Sequence, residues 1–244
     1  MNSQLIRVIG LAILPALGNF SGGVLAEWLR PSKRTLNHAL HAAAGIIIAV
    51  IAVEVMPEAL QGASAWLLAL AFLLGGFAYL TVKSRIERWQ HKQPKGAGTG
   101  AWMVYVAVAT DLVGDGLLVG SGSAVSSSLA LVLALGQVLA DIPEGFAVNA
   151  SFRNKGVGRA RRMLISASFV IPVVGTALIA YFALRERSEA LKMAALVFVA
   201  GLYNLAAVED MLEEAHESNE DTQWSAISFL AGFALFLLIS GGVN

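Results

Sequence analysis

The stretch LGQVLADIPEGFAVNA, residues 135–150, sets Asp141, Pro143 and Glu144 inside an otherwise apolar run. A carboxylate is costly in an apolar medium and a proline removes a backbone donor, so their presence together asks for a reason. A second run, YVAVATDLVGDGLLVGSGSA at 105–124, carries Asp111 and Asp115 in the same way.

The rest of the chain explains what medium these acids are in. Of 244 residues 57% are hydrophobic and only 14% charged, and the mean hydropathy is +0.68. Soluble domains carry about 25% charged residues. The composition is that of a membrane protein. A net charge of +0 gives no signature for nucleic acid, and the absence of cysteine removes disulfides and thiolate metal sites from consideration.

A membrane-spanning helix needs about 20 apolar residues. Val8 to Ala26, Thr35 to Val53, Ala59 to Val82, Met163 to Leu184 and Thr222 to Asn244 reach that length without Asp, Glu, Lys or Arg. Ala101 to Ser121, Ser127 to Phe152 and Leu191 to Leu212 reach it with acids inside. The expectation is one all-α transmembrane domain over 1–244, with eight helices near 5–29, 35–56, 62–83, 101–121, 127–152, 161–184, 191–214 and 223–243. The first helix is expected to be retained, because no small-residue cleavage site follows a short apolar core.

Lys and Arg set the orientation. With the N-terminus outside, Arg30, Lys33, Arg34, Lys83, Arg85, Arg88, Lys92, Lys95, Arg153, Lys155, Arg159, Arg161 and Arg162 lie inside. Arg7, Arg185, Arg187 and Lys192 are left outside, and of these Arg185 and Arg187 fit least well. Both termini are therefore expected to face away from the cytoplasm, with 84–100 as an inner loop rich in Gly and Pro.

Internal similarity organises the helices further. GIIIAVIAVEVMPEAL from Gly45 aligns with GLYNLAAVEDMLEEAH from Gly201, pairing Glu54 with Asp210 and Glu58 with Glu214. VGDGLLV from Val113 aligns with IPEGFAV from Ile142, pairing Asp115 with Glu144 and Gly116 with Gly145. In an eight-helix chain these pairs run in opposite directions, which gives a 3+2+3 inverted repeat, a pattern found in transporters with sites on broken helices near the midplane.

On a helix Asp111 and Asp115 share a face, as do Asp141 and Glu144, with Gln137 one turn further along. Four such acids facing lipid would cost on the order of 10 kcal/mol, so they must face one another or water. Pro143 frees the Leu139 carbonyl, and Gly114, Gly116 and Gly145 permit close helix approach. Carboxylates and a carbonyl converging at a helix break make a site of hard oxygen donors for a divalent cation. The plainer alternative is that protonated acids act as hydrogen-bonding links between helices. Glu54, Glu58, Asp210 and Glu214 read as a solvated boundary, His38 and His41 as interfacial residues, and His91 and His216 as loop residues without metal-ligand spacing.

These residues resemble the ZIP family of divalent metal transporters, its bacterial members above all. AAAGIIIAVIAVEVMPEAL is similar to that family's second helix, ADIPEGFAV to its fifth and VEDMLEEAHE to its seventh. The resemblance implies eight helices, outside termini and a metal site between the fourth and fifth helices. It also implies differences. The family's fourth-helix His-Asn-x-x-Asp/Glu-Gly becomes Asp111, Leu112, Val113, Gly114, Asp115 and Gly116. In the fifth helix a His or Gln becomes Ala140, ahead of Asp141, Ile142, Pro143, Glu144 and Gly145, and the sixth helix's Glu-Pro becomes Ile171-Pro172. The implied metal ligands are Asp111, Asp115 and Glu144, with Asp141 bridging or adjacent. Their carboxylate chemistry suits harder cations such as manganese, iron(II) or magnesium, while zinc and cadmium remain candidates.

The expected function is thus transport of divalent cations, with the metal as substrate and no enzymatic activity, in a bacterial inner membrane. Expected partners are the lipid bilayer, the metal ion and, as an option the sequence does not decide, a second copy in a homodimer. No nucleic acid is expected. Two other classes stay open: a ZIP-like membrane protein that does not transport, and an intramembrane aspartyl protease, for which Leu112 stands where such a protease would need glycine.

Overall fold

The structure, a computed structural model, describes residues 3–29, 32–92, 97–212 and 222–243, with the side chains at 91, 97–100, 210 and 243 outside that description. The chain is an integral membrane protein. Eight of its helices are long and apolar enough to cross a bilayer, and no strand occurs among the described residues. They are α1 (Ser3–Leu29), α2 (Lys33–Gly62), α3 (Ala65–His91), α4 (Ala97–Val125), α5 (Ser127–Asn154), α6 (Arg159–Leu184), α7 (Glu189–Ala206, continued by Ala207–Met211) and α8 (Gln223–Val243).

Local chemistry fixes several helix ends. Ser32 and Ser126 cap α2 and α5, each accepting from a backbone N–H three residues on at 3.1 Å. Gly156, at φ 75°, closes α5: its N–H donates to the Arg153 carbonyl, while that of Val157 reaches back to Phe152. This left-handed turn pairs carbonyls that a helix end would leave unsatisfied. The helices also run further than expected around 84–100, since α3 reaches His91 and α4 starts at Ala97. Lys83 to Trp89 continue α3 with basic side chains near its C-terminal end, where they suit the helix dipole. Trp66 and Trp89, at opposite ends of α3, are separated by roughly 34 Å of helical rise, which matches the thickness of a bilayer core and its borders.

The breaks in the helices differ from expectation. Pro143 sits inside a continuous α5, which tolerates the lost hydrogen bond without a break. The irregular turns lie elsewhere. A π-helical segment, Val50–Val55, interrupts α2, and another, Ala207–Met211, continues α7. The alignment of Gly45 with Gly201 carries one onto the other to within a residue. A third irregularity divides α6 into Arg159–Ser168 and Val170–Leu184, with Phe169 between them fully buried and stacked on Tyr105 of α4 at 5.3 Å.

The most extensive helix pairings are α1 with α5, α4 with α6, α2 with α8 and α3 with α7. In the first, a methyl group on Gly22 would overlap the Ile142 carbonyl and one on Gly145 the Asn19 carbonyl, so only glycine allows the two backbones this close. Gly45 and Gly232 meet the α8 and α2 backbones in the same reciprocal way, and Gly75 and Gly201 those of α7 and α3. Gly145→Val is expected to destabilise the protein by about 3 kcal/mol or more, because the overlap is with backbone; the check is the melting temperature of the purified variant in detergent.

Two apolar cores follow from these pairings. One contains Ala12, Ala16, Leu112, Val119, Val148, Phe152 and Val173 from α1, α4, α5 and α6. The other is built mainly by α2, α3 and α7, with Phe236 of α8 and part of α5. Between these groups the packing runs chiefly through α2 against α5 and α4 against α7. That seam is where the acids lie.

Candidate functional site

Asp115 and Asp141 are buried, at 2% and 3% exposure, whereas Asp111 and Glu144 are half-buried. On α4 the two aspartates are about one turn apart, as are Asp141 and Glu144 on α5; the Gln137–Asp115 contact sets the register of the two antiparallel helices, and Asp141 follows Gln137 by one turn in the direction of Asp111. Along its own helix each half-buried acid is the one nearer the basic residues that flank it in sequence. Asp141 is within electrostatic reach of Asp115, Glu144 and Asp111, so all four expected residues are brought to one region.

They are not closed on one point. Among the described residues, no three His, Asp or Glu side chains stand close enough together to hold a metal ion. Like carboxylates in a poorly solvated seam repel one another, and Asp115 is drawn to other partners. Its Oδ1 accepts hydrogen bonds from Gln137 Nε2 of α5 and from the Tyr203 hydroxyl of α7. Asp115 Oδ2 and Asp141 Oδ2 are buried and have no hydrogen-bond partner among the described residues. A buried carboxylate oxygen left bare is expensive, and supplying a cation is one way to satisfy it.

The glycines around Asp115 hold the neighbouring helices in place. A Cβ on Gly114 would sit 3.1 Å from the Tyr203 hydroxyl oxygen, so the missing side chain gives the phenol its path to Asp115. Gly116 does the same for α6, whose Val173 carbonyl packs directly against it. Thr176 of α6 donates to the Val113 carbonyl at 3.1 Å, tying α6 to the turn that carries Asp115. On the other side Asn19 of α1 is 1% exposed, with neither amide atom hydrogen-bonded among the described residues, and Gly18 lies against Asp141.

No protein-family model matches this chain, and no curated protein matches it either. The site therefore has to be read from its own residues.

The departures from the ZIP pattern are visible in that reading. Leu112 and Ala140 are fully buried in apolar packing, and Ile171 is 70% exposed on the outer face of α6. None of the three is in a position to complete a set of ligands. Other expectations need correction. Glu54 is in the π-helical segment of α2, far from a solvated helix end, and its carboxylate accepts from Ser240 of α8. His41 is buried, not interfacial, with Nδ1 2.9 Å from the Asn37 carbonyl oxygen; Asn37 Oδ1 in turn accepts from Ser225 of α8 at 2.7 Å. Both exceptions arise because α8 covers α2 along its length. Glu214, His216 and the side chains of His91 and Asp210 lie outside the described residues.

Two features were not anticipated from the sequence. Tyr203 is the first. Its signal was the pair Tyr203–Asn204 in mid-span, easily taken for ordinary core. The second is a largely buried ion pair near the C-terminal end of α1: Arg162 of α6 donates through Nε and Nη2 to Glu27 of α1, and Arg159 Nε stands 3.7 Å away from the same carboxylate. Arg162 had been counted only as loop charge.

Proposed function

We propose that this protein is a ZIP-like transporter of divalent metal cations, with the α4–α5 seam as the substrate site. The observation that carries the reading is the pair of bare, buried carboxylate oxygens on Asp115 and Asp141, with Asp111 and Glu144 within electrostatic reach of Asp141. An oxygen-only donor set with no imidazole or thiolate favours manganese or iron(II) over zinc or cadmium. In this reading the basic loops face the cytoplasm, in a bacterial inner membrane by the resemblance. A homodimer belongs to the same reading.

The two π-helical segments and the reciprocal glycine crossings support a 3+2+3 inverted repeat. Exchange of α1 with α6, α2 with α7, α3 with α8 and α4 with α5 turns the α1–α5 pair into α6–α4 and the α2–α8 pair into α7–α3. The packing also says which parts could move as units. Because α1–α5 and α4–α6 lock the sequence halves together, alternating access is better served by sliding the α1, α4, α5 and α6 group against the α2, α3, α7 and α8 group. Asp115 and Tyr203 then face each other across the moving surface.

Binding is tested with the purified protein in detergent by equilibrium dialysis against manganese, iron(II), zinc and cadmium, one ion at a time. The expected result is saturable binding of at least one ion, lost in Asp141→Asn. Equal binding by the two proteins would overturn the site, and none by folded wild type would favour a ZIP-like protein that does not transport.

A further inference from the structure

We propose that Tyr203 is a specificity-determining residue, one that with Gln137 confines Asp115 to single-oxygen ligation of the transported cation. The inference rests on the metal-site reading above and adds to it a reason for selectivity. A carboxylate offers about four lone-pair positions, shared between its two oxygens. In Asp115 the Oδ1 side accepts from both Gln137 and Tyr203, whereas Oδ2 has no partner among the described residues. A cation reaching Asp115 therefore meets one free oxygen. Chelation through both oxygens would first require the two donors to give way.

The donors are well placed to resist that. Gln137 is 1% exposed and Tyr203 6%, so neither can replace the lost bond with water at low cost. They also come from different helices, α5 and α7, on opposite sides of the seam. Gly114 contributes by leaving the space the phenol occupies. A phenol has one proton to donate, and here it goes to Asp115, which fixes the carboxylate's rotation as well as its accepting side.

Single-oxygen ligation discriminates by size. Calcium takes 6–8 oxygens at about 2.3–2.6 Å and accepts bidentate carboxylates, while smaller ions of the manganese and magnesium kind are served by fewer, single-oxygen ligands. Cadmium, close to calcium in size, falls on the same side. An Asp115 held by Oδ1 thus disfavours the larger ions without any steric block. The distinction from a structural role is that loss of the phenol oxygen should alter which ion binds, not only how well.

The experiment compares wild type with Tyr203→Phe in detergent, measuring equilibrium binding of manganese, magnesium, calcium and cadmium separately, together with infrared difference spectra of the carboxylate stretches on binding calcium. Asp115→Asn assigns the bands. The expected result is a calcium-to-manganese affinity ratio raised about tenfold or more in Tyr203→Phe. The calcium difference spectrum should then show the narrower band separation of bidentate ligation. Gln137→Met, which removes the other donor at similar volume, is expected to shift the ratio in the same direction and serves if Tyr203→Phe does not fold. Binding in both proteins with an unchanged ratio and unchanged band separation would overturn this inference alone. Failure of folded wild type to bind any of these four ions, or iron(II) or zinc in the dialysis above, would overturn the metal-site reading, and this inference with it.

Discussion

Asp115→Asn is expected to lower divalent-cation uptake by about 100-fold or more while leaving a folded protein in the membrane. Loss of an outer-shell partner alone costs metal sites about 10–100-fold, so loss of a ligating charge should cost at least the upper figure. Folding should survive because asparagine keeps the shape of the side chain and an oxygen able to accept from Gln137 and Tyr203. Removing a carboxylate from a region shared with Asp111, Asp141 and Glu144 also relieves repulsion. The melting temperature is therefore expected to be unchanged or higher, and it is measured on the same preparation as uptake. A variant that transports normally would show that Asp115 is an interhelical hydrogen-bonding link and nothing more.

Glu27→Ala is expected to have the largest effect on stability, a loss of about 3–5 kcal/mol. Its carboxylate takes both the Nε and the Nη2 donors of Arg162, and the two side chains are 11% and 8% exposed. Truncating Glu27 leaves the guanidinium in a poorly solvated place with Arg159 as its neighbour, which is worse than the absence of both charges. The double variant Glu27→Leu with Arg162→Leu should recover most of the loss. Thermal unfolding in detergent separates the cases: equal destabilisation of the single and double variants would mean that the pair matters for packing alone. The location of the pair gives the prediction a further reading. It joins the C-terminal end of α1 to the N-terminal end of α6 in the group that carries Asp115 and Asp141, and so keeps that group together.

The number and extent of the helices were legible in the sequence because apolar length is a direct consequence of bilayer thickness. Helix ends were placed least well around 84–100, where basic residues resemble loop composition and yet continue a helix. Pro143 was legible as an anomaly but misread as a break. The actual irregularities at Val50–Val55 and Ala207–Met211 carry no proline inside them, since π-helical turns arise from tertiary packing that a linear pattern does not record. For the site, periodicity was enough to bring Asp111, Asp115, Asp141 and Glu144 into one region. It could not show that Asp115 is held by Tyr203, because a contact between α4 and α7 depends on which helices pack together. Glu54 was misassigned for the same reason: its partner Ser240 is on α8, which neighbours α2 in space but stands at the other end of the chain.

The central claim, that the α4–α5 acids form the substrate site of a divalent-cation transporter, is tested most directly by uptake into proteoliposomes. Manganese, iron(II), zinc and cadmium would be offered singly to wild type and to Glu144→Ala, reconstituted at equal density. The account predicts uptake of at least one ion by wild type, manganese or iron(II) foremost, and none above protein-free vesicles by Glu144→Ala. Uptake by both proteins at the same rate, or by neither when wild type is shown to be folded, would contradict it.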